Sequence, residues 1–318
     1  MPFDCIGVGI IAFDHLIFLS KFPKPDSKTK TENYFRHIGG PVPVAMATLA
    51  RLGKSTALIA KIGADANGLF LSQKLQEMNV STELLLHSDR CQTAEAFCLI
   101  DKKNGSRTVL LHRDNKCDIT PDELPLAELE KTRIMHIDGH DSEADIKAAK
   151  LAKVHRIKIS IDMGSNRRIP KALLALIDYA VVSEEFANTQ LVRNSPEKSV
   201  QRLLESGIQI AGVTCGPKGS FWGNENEILF QRAFRVNTIN STGAGDAYHG
   251  AFLYGILENF SMKNIALFSS AVAAFKCSAA NEFNGIPSLK EIELFLEKNT
   301  VSTQFLKGGK LDETSIGF

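Results

Sequence analysis

The residues best placed to do chemistry are Asn240-Ser241-Thr242-Gly243-Ala244-Gly245-Asp246-Ala247-Tyr248-His249-Gly250, a run of small residues leading straight into a long apolar stretch. Glycines let backbone N–H groups approach an anion closely, and the start of a helix adds partial positive charge at the same place. A carboxylate in that first turn, Asp246, can accept the proton of an attacking hydroxyl. Phosphoryl transfer fits this combination. An ordinary helix start with an acid placed near its dipole would carry the same residues, so the local pattern alone does not separate the two readings.

Other motifs are weaker. Gly7-Val8-Gly9-Ile10-Ile11-Ala12 satisfies a loose G-x-G-x-x-G/A dinucleotide fingerprint, but two prolines follow where a helix is needed, which makes a dehydrogenase a distant alternative. Gly53-Lys54-Ser55 looks like the end of a P-loop, yet the leading glycine would fall at Thr48, so the Walker motif fails. Cys215-Gly216-Pro217-Lys218-Gly219 is a tight turn after an apolar segment. His112 and His140 are candidates to read a substrate charge or to serve as hydrogen-bonded structural groups. Lys21, Lys24, Lys28 and Lys30 form a basic run that suits either a phosphorylated or sulfonated sugar or a solvated connector.

These residues need a scaffold, and the chain is long enough to supply one. Its 318 residues, 44% hydrophobic and 23% charged, describe a globular protein, either one large α/β domain with an appendage or two domains. Formal charge is +1, from 37 Lys+Arg against 36 Asp+Glu, so no global field draws the chain to nucleic acid or to an anionic membrane. No apolar run approaches the roughly 18 residues of a membrane span, and cytoplasm is the expected compartment. The six cysteines, Cys5, Cys91, Cys98, Cys117, Cys215 and Cys277, lie far apart with no C-x-x-C pair, and read as reduced and mostly buried.

Residues 5–13 read as a strand buried on both faces, and 41–52 as a helix with Gly53 as its C-terminal glycine, followed by a strand at 56–62. Polar and aromatic residues alternate at 29–37; segments 93–100 and 107–112, joined through Asn104-Gly105, read as a hairpin that forms a small separate sheet with 15–37. Beyond it, strands at 134–137, 157–162, 180–183 and 209–214 alternate with helices at 142–154 and 171–177, which implies βαβ units around a parallel sheet. Ser142 and Asp145 suit a capping signature. Helices at 244–259, 262–280 and 289–298 close the pattern. Trp222 and the phenylalanines read as packing residues.

Taken together these segments resemble the PfkB (ribokinase-like) carbohydrate kinases over nearly the whole chain. Gly39-Gly40, the following helix and Ile62-Gly63-Ala64-Asp65-Ala66-Asn67-Gly68 look like that family's N-terminal signature, and Thr242-Gly243-Ala244-Gly245-Asp246 like its C-terminal one. The segments 104–112 and 137–140 are similar to ketohexokinases; Tyr248-His249-Gly250-Ala251-Phe252, Phe275-Lys276-Cys277 and Gly285-Ile286-Pro287 are similar to ketohexokinases and sulfofructose kinases. The resemblance implies a three-layer α/β/α sandwich around a mostly parallel sheet, with 1–14, 38–90 and 113–318 as the main domain and 15–37 and 91–112 as a β-sheet lid. It implies an ATP- and Mg2+-dependent kinase of a sugar-like hydroxyl, ketohexose favoured, and a homodimer formed through the lid.

By the same resemblance Asp246 is the base, and the amides of Gly243, Ala244, Gly245 and Asp246 form the anion hole. Asp14, Gly39, Gly40 and Arg107 face the substrate, while Thr214, Gly216, Gly219 and Thr242 lie on the nucleotide side. The chain also departs from the family. Val44 and Pro41 stand where asparagines bind sugar hydroxyls, and a buried hydroxyl without its partner costs roughly 1–3 kcal/mol. Ser183-Glu184-Glu185-Phe186 stands in place of the N-x-x-E stretch that organises magnesium-bound water, and Asn240 replaces an Asp linked to a monovalent cation such as K+, which leaves potassium dependence open. A nucleoside kinase, favoured by the apolar Val44 and Pro41, and a kinase-like binding or scaffold protein are the competing readings.

Overall fold

The computed structural model describes residues 3–31, 33–164, 168–278 and 285–307. Runs rich in Ile, Val and Ala form a central sheet whose strands are buried on both faces, as parallel strands covered by helices must be. In spatial order β6 (Val80–Ser81), β4 (Thr56–Ile59), β1 (Phe3–Val8), β10 (Thr132–Ile137), β11 (Lys158–Met163), β12 (Tyr179–Ser183) and β13 (Ile210–Thr214) run parallel. Three antiparallel strands, β14 (Ser220–Gly223), β15 (Ile228–Gln231) and β16 (Thr303–Lys307), extend one edge. A two-stranded pair, β5 (Lys61–Gly63) with β7 (Leu86–Ser88), stands apart.

Two apolar layers make this a three-layer α/β/α sandwich. One face is covered by α1 (Pro41–Arg51), α2 (Ala66–Glu77), α8 (Ala244–Leu257), α9 (Met262–Ser278) and α10 (Leu289–Lys298), with Trp222 and Phe252 at its centre. The other face is covered by α3 (Leu126–Leu129), α4 (Ser142–Val154), α5 (Lys171–Leu174), α6 (Glu184–Gln190) and α7 (Pro196–Glu205). The second sheet runs β3 (Asn33–Gly39), β2 (Ala12–Leu19), β8 (Ala94–Asp101), β9 (Arg107–His112), and one of its faces carries its own small core of Leu16, Phe18, Cys98 and Ile100.

The strand expected at 5–13 is therefore two strands in different sheets. Gly9 marks the break: a Cβ there would stand 2.4 Å from the Asp138 carboxylate, and the next amide, Ile10 N, donates to that same carboxylate at 3.0 Å. Ladder pairing carries the small sheet out to Ala12 and Gly39, which puts Asp14 on a small-sheet strand. A strand after Gly9, rather than a helix, also removes the structural basis of the dinucleotide fingerprint. The run at 56–62 likewise divides, since β5 leaves the main sheet to pair with β7. Helix α4 starts at Ser142 as expected, but Asp141 is its N-cap, and its carboxylate binds Arg113 and the Ile119 amide instead of capping the helix. Helix α9 is described to Ser278; residues 279 and 280 lie outside the described residues.

The cysteine reading needs correction. Cys91 and Cys117 form a disulfide, with Cα atoms 5.4 Å apart. Cys91 precedes β8 and Cys117 follows β9, so the strand pair that leaves the main body returns beside its own starting point; a separation of 26 residues carries no such signal. Cys5, Cys98, Cys215 and Cys277 are free thiols.

Helices α1 and α8 touch almost backbone to backbone. A Cβ on Gly250 would lie 2.5 Å from the Ala45 carbonyl oxygen and 2.6 Å from the Thr48 Cβ. Gly250→Ala should therefore cost about 1–3 kcal/mol in urea unfolding, because two helices must separate to admit one methyl group.

Candidate active site

The small-residue run begins α8 as the sequence indicated. Gly243 is its N-cap in the left-handed region at φ +76°, a conformation glycine adopts without steric penalty. Asn240 Oδ1 accepts the Thr242 amide at 2.9 Å, and the Ile239 and Asn240 amides both donate to the Cys277 carbonyl, which fixes the loop to the end of α9. The Ala244 amide turns back to the Ser241 carbonyl at 3.3 Å. Among the described residues the amides of Gly243, Gly245 and Asp246 have no acceptor, so three of the four expected donors stay open. Among the described residues, nothing lies within 4 Å of where a Gly245 Cβ would stand, and the buried Thr242 hydroxyl has no partner. A triphosphate fits such a cradle, which offers donors, room and a positive helix end.

Asp246 and Asp14 approach this cradle from different elements, α8 and β2. Burial, reinforced by the Asp162 carboxylate beneath it, raises Asp246 to about 7. Burial, reinforced by Asp246 itself, raises Asp14 to about 7. The Asp246 charge is thus felt at Asp14, which puts both carboxylates in one poorly solvated space. Gly39 is glycine because a Cβ would overlap the Asp14 carboxylate, and Gly40, at φ +100°, because a Cβ would meet the Ile10 carbonyl at 2.4 Å. Val44 belongs to the same wall: its Cγ1 and the Asp246 Oδ2 lie 3.6 and 3.8 Å from the point where a Gly243 Cβ would stand.

The small sheet reaches this loop through its turn. Ser241 donates from both Oγ, at 2.8 Å, and N, at 3.2 Å, to the Gly105 carbonyl, and the Arg107 guanidinium lies 3.4 Å from the Ser241 carbonyl. Arg107 also lowers both Asp14 and Asp246, so its charge is felt at both acids.

Of the residues expected on the nucleotide side, Thr214 ends β13 and its hydroxyl donates to the Val182 carbonyl at 3.3 Å. Gly216 opens the next turn with nothing within 4 Å of a would-be Cβ, whereas Gly219 is required by contact with the Gln231 carbonyl of β15, 2.2 Å from its Cβ position. Ser183 caps α6 through the Phe186 amide, and Glu184 pairs with Lys218 at 3.0 Å. Among the described residues no cluster of three or more His, Cys, Asp or Glu side chains is placed to hold a metal ion.

The remaining candidates are one paired histidine, one exposed histidine and an exposed lysine run. His140 Nδ1 sits 3.0 Å from the buried Asp138 carboxylate. His112 lies exposed on β9, in the register row of Phe13 and Glu95 and on the sheet face opposite Asp14. Lys21, Lys24, Lys28 and Lys30 are all exposed on the connector between β2 and β3. A cleft of about 730 Å³ lined by Lys61, His87, Arg90 and Lys116 includes none of the candidate site residues.

Sequence reasoning gave no role to Lys276, which is buried in α9, or to the buried pair of Asp162 Oδ1 and His249 Nε2, 3.3 Å apart beneath Asp246. The lone lysine in the apolar run Ala271-Val272-Ala273-Ala274-Phe275-Lys276 is the local signal for the former.

A family model described as "pfkB family carbohydrate kinase" matches residues 4–289, which spans both glycine signatures and the acid on β2. The chain belongs to the pfkB family of carbohydrate kinases. A ribokinase from Haemophilus influenzae is 26% identical over 303 residues, covering 91% of this chain and 97% of that protein. A 5-dehydro-2-deoxygluconokinase from Listeria innocua is 24% identical over 317 residues, covering 92% and 96%. Arabidopsis thaliana ribokinase, solved with ribose and ATP, superposes with a TM-score of 0.79 at 19% identity, covering 93% of this chain and 99% of that one. An E. coli protein assigned as a ribokinase II and solved with ATP and Mg2+ gives 0.79 at 23% identity, covering 93% and 99%. This pfkB member is thus a sugar kinase with the ribokinase-like fold.

The two raised acids give a stability signature. Each binds its proton more tightly folded than unfolded, so between about pH 4 and pH 7 the folded chain holds more protons and stability falls as pH rises through that window. Asp14→Asn removes one such acid. Relative to the parent protein its melting temperature should gain more at pH 8 than at pH 4, as thermal melts across that range will read.

Proposed function

We propose that this kinase transfers the γ-phosphoryl group of ATP to a hydroxyl of a sugar-like acceptor, with a primary hydroxyl of a ketohexose-like molecule favoured. The observation that carries this reading is the convergence of Asp246, Asp14 and three open amides on one cradle. Asp246 takes the acceptor's proton as its oxygen attacks, and the amides of Gly243, Gly245 and Asp246 hold the charge that develops in flight. A raised acid is suited to this work near neutral pH, because it is both partly ionised and basic enough to accept a proton. Asp14, Gly39, Gly40 and Arg107 face the acceptor; Thr214, Gly216, Gly219 and Thr242 face the nucleotide.

Mg2+ on the triphosphate supplies charge neutralisation when bound, and Thr242 with the open amides would hold the phosphates that carry it. The small sheet acts as a lid, since its Gly105 turn already rests on Ser241 beside the cradle, and closure excludes water from the phosphoryl group. An ATP-consuming enzyme of this kind belongs in the cytoplasm. The similarity of 104–112 and 137–140 to ketohexokinases supports the ketose. Val44, buried and apolar where a hydrogen-bonding residue would serve a sugar, supports a nucleoside as the second reading.

Release of ADP from Mg-ATP by the purified protein, across ketoses, aldoses, sulfosugars and nucleosides, tests both readings. A ketose should give the highest turnover, and a nucleoside in first place would select the second reading. Asp246→Asn should lower turnover by about 10³-fold or more with ATP affinity nearly unchanged; unaltered turnover would sink the assignment of the base.

Exposed apolar side chains on the small sheet, Phe35 at 54%, Val109 at 47% and Leu111 at 51%, share the sheet face of Asp14 and are more exposed than a solitary lid requires. A second copy of the chain covers them in this reading. Light scattering should find a dimer that Leu111→Glu converts to monomers, and a monomeric parent protein would contradict it.

A further inference from the structure

Lys276 stands in the last turn of α9, is 1% exposed, and its Nζ has no hydrogen-bond partner among the described residues. A buried cation without a partner costs stability, so packing alone gives no reason to keep a lysine where methionine would fill the same volume. Its position supplies a reason. Lys276 Cε lies 3.6 Å from the point where a Gly243 Cβ would stand, and Val44 Cγ1 and Asp246 Oδ2 lie 3.6 and 3.8 Å from that same point. The side chain that Gly243 lacks leaves a space bounded by the Asp246 carboxylate, the apolar wall of α1 and the Lys276 Cε that carries the ammonium. The Cys277 carbonyl, one residue further along α9, accepts the Ile239 and Asn240 amides, so lysine and loop are held in one rigid unit.

We infer that Lys276 is a further catalytic residue of this kinase, its ammonium donating a hydrogen bond to an oxygen of the phosphoryl group in flight. The inference rests on the phosphoryl-transfer reading above. In the step, the acceptor O–H gives its proton to Asp246 and the acceptor oxygen bonds to the γ phosphorus. The bond from that phosphorus to the β–γ bridging oxygen breaks, and its electron pair leaves with ADP. Lys276 keeps its protons throughout and offsets the charge spreading over the equatorial oxygens. Burial lowers its pKa to about 8; Cys277 of α9, Asp246 of α8 and Asp14 of β2 oppose that fall, and Arg107 of β9 adds to it. The ammonium form is therefore lost as pH rises through about 8.

The test compares Lys276→Met and Lys276→Arg with the parent protein. Lys276→Met should melt at the same temperature or higher and bind ATP within about threefold of the parent, while kcat falls by about 100-fold or more. The parent's alkaline fall in kcat near pH 8 should be absent in Lys276→Met and displaced upward in Lys276→Arg, which retains a cation. Calorimetry with ADP, Mg2+ and aluminium fluoride, a mimic of the group in flight, should show affinity reduced about 100-fold in Lys276→Met with ADP affinity alone unchanged. A kcat within threefold of the parent, equal affinity for the fluoride complex, or a lower melting temperature in Lys276→Met would each overturn the inference. If the parent protein turns over no acceptor, the phosphoryl-transfer reading fails for the acceptors tried, and the fluoride measurement still decides the role of Lys276.

Discussion

Among the described residues three backbone donors at the start of α8 have no acceptor, and a protein keeps such groups unsatisfied only where surrounding structure holds them and a ligand can offset the loss. Much of the molecule can be understood as meeting that condition. Gly243 turns the chain through a left-handed residue so that the amides open outward, the Cys277 carbonyl pins the loop from behind, and α8 lies against α1 with Gly250 allowing the closest approach. The α1 helix in turn carries Val44, with Gly40 at its N-cap, to the same place. Relaxing any of these contacts would let the amides find partners in the loop, and the anion site would close on itself.

Charge is concentrated in the same small volume. Asp14, Asp246, Asp162, Lys276 and Arg107 influence one another across β2, α8, β11, α9 and β9. In water such charges would be screened; in a site walled by Val44 and the buried faces of α8 and α9 they set each other's protonation. The small sheet belongs to this network, because Arg107 is borne by β9 and the Gly105 turn holds Ser241. The position of the small sheet and the ionisation of Asp246 are thereby physically linked, and displacing that sheet would withdraw a positive charge from both acids.

Sequence made some of this legible and hid the rest, for physical reasons. The helices at Pro41 and Ala244 could be read because glycine and the apolar spacing mark them locally, and Gly53 does take the left-handed conformation expected after α1, at φ +95°. The parallel strands were legible from their Ile and Val runs. The break at Gly9 was hidden because its cause, the Asp138 carboxylate, lies 129 residues away in sequence (138 − 9). The Cys91–Cys117 bond, the Asp162–His249 pair and the placement of Lys276 are likewise products of topology, since each joins segments that no local spacing relates. Ala244 shows the converse. Its motif matched the anion hole, yet its amide is turned to Ser241 by loop geometry that residue types do not encode.

The central claim is that the open amides of α8 receive the phosphoryl group beside Asp246, and a crystal structure with ADP, Mg2+ and aluminium fluoride tests it most directly. The account places the fluoride group within hydrogen-bond distance of the Gly243, Gly245 and Asp246 amides, with the Asp246 carboxylate on the side of the acceptor. A fluoride group bound at another surface, with these three amides paired to protein carbonyls, would contradict it.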